Sequence, residues 1–139
     1  MIDERAIHKF YSKDPDLINH LHVLAPTTVE KAVQHTIKKI EECKSFGARV
    51  WGSDKFYAVI GKHDTCTILY AFFLDVDHRS KSDKDWFLQL LKNNGVTHTC
   101  VWDRNIRAKR FFEKNNFKFV RKVFEEEENQ EYCIYALNL

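Results

Sequence analysis

Asn105-Ile106-Arg107-Ala108-Lys109-Arg110-Phe111-Phe112-Glu113-Lys114-Asn115-Asn116-Phe117 is the stretch on which the reading of this chain turns. It follows the strand-like run Thr97–Trp102, and Asn105 stands where a helix needs an N-cap. A short amphipathic helix is expected over Asn105–Asn115. It stops at the pair Asn115-Asn116, and Asn is the usual non-glycine residue in a left-handed C-cap. The aromatic Phe117 then leads into a terminal hairpin, Lys118–Glu125 with Tyr132–Leu137. The segment therefore predicts a strand, a helix and a strand in immediate succession.

Upstream of it, Asp83–Asn93 carries Trp86, Phe87, Leu90 and Leu91 at helical spacing, with Gly95 as its stop. Arg49–Gly52, Lys55–Gly61 and Thr65–Val76 change period and read as strands, being rich in β-branched and aromatic residues. In the last of these, Ile68, Tyr70, Phe72, Leu74 and Val76 are expected on one face and Leu69, Ala71 and Phe73 on the other. Apolar residues on both faces imply a central strand covered on both sides. Nearer the N-terminus, Ala6–Tyr11 reads as a short first strand, and Asp14-Pro15 as a helix start with Leu17, Ile18 and Leu21 on its apolar face. Thr27 with Glu30 suggests a capping box for a longer helix that carries Val29, Val33, Ile37 and Ile40 and ends at Gly47.

The expected order is β-α-α-β-β-β-α-β-α-β-β: an α/β chain with a central mixed sheet flanked by helices on both faces. With 139 residues, no repeats, 4 Gly and 2 Pro, one domain spanning 1–139 is the simplest organisation. The 44% hydrophobic and 14% aromatic content is that of a globular chain, and no apolar run approaches a membrane span. Met1-Ile2-Asp3-Glu4-Arg5 is charged and lacks the apolar core of a secretory signal, so a soluble cytoplasmic protein is the default expectation. Cys43, Cys66, Cys100 and Cys133 form no C-x-x-C pair and read as reduced core thiols, and the seven histidines suggest no metal site. The net charge of +2 hides a basic stretch, Arg104 to Lys122, followed by the acidic run Glu125 to Glu128. Phe111 and Phe112 are the only large apolar face of the basic helix, so nucleic-acid binding would rest on charge alone and is set aside.

The Asn-led helix resembles the motif that closes the acyl-CoA site in the GNAT acetyltransferase family. The family pattern of Asn, Arg-Ala, an aromatic pair, Glu-Lys and Gly-Phe maps onto Asn105, Arg107-Ala108, Phe111-Phe112, Glu113-Lys114 and Asn116-Phe117. Phe112 stands where many members carry a tyrosine that protonates the departing CoA thiolate. The family's second motif, R/Q-x-x-G-x-G/A, opens a helix whose N-terminus binds the CoA pyrophosphate. Here it reads Arg79-Ser80-Lys81-Ser82-Asp83-Lys84, with Ser82 and Lys84 in place of the two small residues and Asp83 and Asp85 adding negative charge.

The resemblance implies a transferase that binds acetyl-CoA and acetylates an amine of a small molecule or protein by direct attack on the thioester. Arg79, Ser82, Lys84, Asn105 and Arg107 are then the cofactor-binding candidates. The resemblance also implies a strand splay whose unpaired backbone groups would grip the acyl carbonyl and the pantetheine. The attacking amine needs a general base, for which Asp75 and Asp77 at the end of the central strand and His98 on its neighbour are the candidates. A second reading, from another class, is a GNAT-fold protein without catalysis that acts as a structural or interaction module. In having the Asn-led helix but no glycine loop, the chain is similar to small phage-encoded proteins, virion-associated ones among them, and its partner would then be another protein.

Overall fold

The N-terminal segment expected as a strand over Ala6–Tyr11 is a helix. In the computed structural model, which describes residues 3–14 and 27–137, α1 runs Glu4–Lys13. Asp3 caps it, accepting from the Ala6 N–H at 2.9 Å, and Glu4 and Lys13 suit the two ends of the helix dipole. Ile7, Phe10 and Tyr11 form its buried face at i, i+3 and i+4, a helical period that six residues of aromatic and branched composition obscure. Asp14 closes α1, and the helix expected to start at Asp14-Pro15, with Leu17, Ile18 and Leu21, lies outside the described residues.

The second helix, α2 (Val29–Ser45), is capped by Thr28, whose Oγ1 accepts from the Lys31 N–H, so the expected Thr27–Glu30 box is not used. It ends where expected: Gly47 takes a φ of +94°, open to glycine and costly for other residues. Three antiparallel strands follow, β1 (Arg49–Gly52), β2 (Phe56–His63) and β3 (Cys66–Leu74). A single 3-10 turn, Val76–His78, leads to α3 (Lys81–Asn93), which crosses to β4 (His98–Trp102), parallel to β3. Then come α4 (Ile106–Lys114), β5 (Phe117–Glu125) and β6 (Gln130–Leu137), joined as an antiparallel hairpin. Asn116 sits at φ +69°, the left-handed position expected of it. The sheet has six strands in the order β1-β2-β3-β4-β6-β5.

Helices cover both faces of this sheet, and each face has its own core. On one side Ile7, Phe10, Val33 and Ile40 pack on Tyr57, Val59 and Phe73. On the other, Phe87, Leu91 and Phe112 pack on Ala58, Ile60, Leu69, Leu74 and Tyr135. The strict alternation expected along β3 fails at one point. Ile60 pairs with Leu69 while Val59 pairs with Ala71, so Tyr70 is an extra residue bulged out of the β2–β3 ladder. In consequence Leu69 packs with Phe72 and Leu74, whereas Tyr70 and Ala71 pack on the opposite face with Phe73. A second bulge, at Val120, interrupts the β5–β6 pairing. Among the described residues no helix is long and apolar enough to cross a membrane.

Two side chains at the end of α1 tie it to the centre of the molecule. Lys13 Nζ reaches Asp75 and Asp77, at 2.9 and 2.7 Å. Asp14, 7% exposed, accepts with one oxygen from both Arg79 (2.8 Å) and Arg107 (3.1 Å). Burial alone would raise the Asp14 carboxyl, but the two guanidiniums outweigh it and hold it below 3.8. A depressed carboxylate stabilises the fold fully above its unfolded value, and that contribution is lost as pH falls through the folded one. Asp14→Asn is therefore expected to cost about 1.5–3 kcal/mol at neutral pH and to flatten the acid limb of a stability curve below about pH 3.8. Urea titrations across pH check this, and an unchanged acid limb would remove Asp14 from that role. Phe112 has no exposed surface and meets Phe117 and Phe72 edge-on, at 4.8 and 5.2 Å between ring centres. Phe112→Tyr would bury a hydroxyl among these rings and should destabilise the protein by about 1–3 kcal/mol, again read by urea unfolding. Unchanged stability would mean that this ring edge reaches a polar partner.

Candidate functional site

The bulge at Tyr70 coincides with a parting of the two central strands. β3 and β4 pair at Ile68–His98 and Leu69–Thr99, and the ladder goes no further. Thr99 Oγ1 donates to the Leu69 carbonyl at 2.9 Å beside the last pair. Beyond it, β3 continues to Leu74 and β4 to Trp102, each still paired on its outer side, to β2 and to β6. The inner edges of Tyr70–Leu74 and Cys100–Trp102 thus face each other across a wedge-shaped gap. Backbone groups left unpaired in such a gap need partners, which makes it a place for a ligand that carries amides or carbonyls.

A cleft of about 470 Å³ opens on one side of the wedge, lined by Phe72, Phe73, Leu74, Phe111, Asn115 and five cations, Arg79, Lys84, Arg107, Arg110 and Lys114. No acidic side chain lines it among the described residues. Arg107, Arg110 and Lys114 come from one face of α4 at i, i+3 and i+7, whereas Lys109 turns away to Asp103 at 3.0 Å. Arg79 is fixed by the Leu74 carbonyl (2.9 Å) and by Asp14, and its guanidinium lies 5.2 Å from the centre of the Phe73 ring. Such a cluster is built for a multiply charged anion.

The N-terminus of α3 does not supply that anion site in the usual way. Ser80 caps it, accepting from the Asp83 N–H at 3.2 Å, and Asp83 returns the bond to the Ser80 backbone and hydroxyl. The Ser80 hydrogen bonds hold the Asp83 carboxyl below its usual range. This carboxylate already occupies the positive end of the helix, so anion binding falls to side chains rather than to amides.

A second cleft of about 330 Å³ lies on the α2 side of the wedge. It shares Phe72, Asn105 and Ala108 with the first, so the two flank the same side chains beside the parted strands. Its walls include Tyr70, Trp102, Tyr132 and Phe46, and its polar groups include His35, Lys39, Glu42 and Glu125. Burial pushes the Cys100 thiol up to about 12 and raises Cys43 too, so neither is a thiolate at neutral pH. Burial also holds the His35 imidazole below 6.5, leaving it neutral and able to accept a proton at pH 7.

Four residues singled out in the sequence converge on the first cleft: Arg79, Lys84, Asn105 and Arg107. Asn105 also fronts the second; its Oδ1 caps α4 by accepting from Ala108 N at 3.2 Å. Ser82 is not the cap of α3, lies in its exposed first turn with its hydroxyl 3.1 Å from that of Ser80, and lines neither cleft. Asp75, Asp77 and His98 line neither cleft either. The Asp75 carboxylate is buried and held by Lys13, His78 (3.1 Å) and the Asp77 N–H. Burial opposes its ionisation, but these bonds keep it below the usual range, so it is a poor proton acceptor. His98 sits at the closed end of the wedge with Nδ1 2.8 Å from Thr97 Oγ1. Sequence reasoning missed Arg110 and Lys114, although their spacing from Arg107 signalled a single face. It also missed His35, for which no local signal exists.

No protein-family model matches the sequence, and no curated protein matches it. Solved structures do resemble it. The PaiA N-acetyltransferase of Thermoplasma acidophilum, solved with coenzyme A, superposes with a TM-score of 0.60 at 11% identity over 96% of this chain and 92% of that one. An acetyltransferase of the GNAT family from Desulfovibrio desulfuricans gives 0.58 at 12% identity, over 98% and 92%. The microcin C7 self-immunity acetyltransferase MccE, in complex with acetyl-CoA and AMP, gives 0.56 at 11% identity, over 99% and 89%. With near-complete coverage on both sides, the chain has the fold of the GNAT acetyltransferases.

Proposed function

We propose that this chain is an acetyl-CoA-dependent N-acetyltransferase of an amine. The observation that carries the reading is the pair of clefts that flank the parted strands, one cationic and the other bearing carboxylates and a neutral imidazole. The five cations fit the phosphates of a CoA thioester through side chains, which compensates for the self-capped α3 terminus. The open inner edge of β3 suits the amides of a pantetheine arm, and Asn105, which lines both clefts, is positioned to hold the thioester. When bound, acetyl-CoA supplies an activated acyl group: the amine lone pair attacks the carbonyl carbon, the C–S bond breaks, and the thiolate ends with the proton that nitrogen sheds. His35 is the base on the acceptor side. Phe112, sealed in the core, gives no proton to sulfur, so the proton that nitrogen sheds reaches the thiolate by way of His35 and solvent. Asp14 positions Arg79 and Arg107 without touching the ligand. The solved neighbours that hold coenzyme A or acetyl-CoA support this reading.

Phe112 and the Asp83 cap favour the second reading, a GNAT-fold interaction protein that no longer turns over. Calorimetric titration separates the two. Acetyl-CoA is expected to bind with a micromolar Kd that weakens about tenfold in Asn105→Ala. Lys84→Ala and Arg110→Ala should each weaken it about fivefold, roughly 1 kcal/mol, with a shallower dependence on salt. Absence of binding at millimolar acetyl-CoA would sink the transferase reading. With turnover, kcat/KM should fall with an apparent pKa below 6.5 as His35 takes up a proton, and His35→Gln should abolish that limb while sparing acetyl-CoA affinity.

A further inference from the structure

The acidic run Glu125–Glu128 plays no part in the donor cleft, and the structure gives it another place. Glu125 lines the second cleft beside Tyr132, with one carboxylate oxygen held by the Glu127 N–H at 2.9 Å. Glu128 folds against α2 and pairs with Lys39, which also meets Glu42 at 3.5 Å. Among the described residues that line the cleft, Lys39 is the one Lys or Arg and is held by Glu42 and Glu128, while Glu42 and Glu125 put two carboxylates on its wall. Several aromatic side chains share the wall: Trp102 meets Tyr132 edge-on at 5.8 Å, and Tyr70 and Phe46 line the same cleft.

Carboxylates at the edge and π faces within form a combination that recognises an ammonium carried on a ring. The volume, at the lower end of the range for small-molecule sites, suits a compact molecule better than a folded surface. We infer that the acceptor is an arylalkylamine: its ring packs among Tyr70, Trp102 and Tyr132, and Glu125 and Glu42 attract its ammonium. The inference rests on the transfer reading for the chemistry but not for the binding. In the transfer, the ammonium first loses one proton to His35 and on to solvent; the freed nitrogen lone pair forms the amide C–N bond, the thioester C–S bond breaks, and the second proton leaving nitrogen passes to the thiolate to give the released thiol.

Titration of the whole chain with 2-phenylethylamine, n-hexylamine and spermidine, with and without CoA, tests the assignment. 2-Phenylethylamine should bind at least fivefold tighter than hexylamine, which has the charge without the ring. Glu125→Gln should weaken it about fivefold, and Tyr132→Leu should erase the preference for the ring. Glu42→Gln, at a side chain 42% exposed, gives a carboxylate variant with little risk to folding and should weaken binding about twofold to threefold. Melting curves of each variant confirm that it folds. Tighter binding of spermidine, or equal binding of hexylamine, overturns the inference in favour of charge recognition alone. Acetyl-CoA binding with no affinity for any ring-bearing amine overturns it while leaving the transfer reading intact. Ring-selective amine binding without acetyl-CoA binding upholds it and removes the transfer reading.

Discussion

Tyr70 sets the shape of the molecule's working part. An extra residue in β3 cannot be absorbed by the ladder to β2 without bending the strand, and the bend falls one residue past the last pair with β4. The β1–β2, β4–β6 and β5–β6 ladders run the length of their strands, the last with its own bulge at Val120, so the opening is concentrated between two neighbours in the centre of the sheet. Each face of the wedge then inherits whatever the helices on that side present: cations from α3 and α4, carboxylates and an imidazole from α2 and the hairpin turn. One backbone irregularity thereby accompanies an opening in a packed sheet, flanked by two chemically unlike clefts.

Asp14 connects that opening to the rest of the fold. A buried carboxylate that meets two guanidiniums with one oxygen keeps Arg79 and Arg107 from spreading into solvent or repelling each other. The arginines retain further donors, so the anchor limits their orientation without exhausting their capacity. Lys13, one residue away, performs the converse service for Asp75 and Asp77. The last turn of α1 thus fixes charges of both signs at the end of β3.

Much of this architecture was legible from local signals. β1 has the expected bounds, Asn105 caps its helix, and Gly47, Gly95 and Asn116 occupy the left-handed positions their identities suggest. The segments that misled were those where local and tertiary preferences diverge. Ala6–Tyr11 has the composition of a strand, and only its Asp3 cap and the spacing of Ile7, Phe10 and Tyr11 mark the helix. The face switch within β3 could not be read from alternation, because a bulge leaves no compositional trace at Tyr70. At the site, residues from the two motif segments converge as their spacing on α3 and α4 allows. The wall of the second cleft was illegible because it joins α2 to the end of β5 and its turn, some ninety residues on, and no local pattern records that contact.

The bulge at Val120 bears on a different property. β5 is an edge strand of nine residues that leaves Phe119, Val120 and Phe124 more than half exposed, a combination that invites sheet-to-sheet growth between molecules. The bulge spoils the regular edge that an incoming strand would need, and Lys118, Arg121 and Lys122 place like charges where a second copy would have to align. The same kind of defect that lies at the centre of this sheet therefore also works against strand addition at its rim.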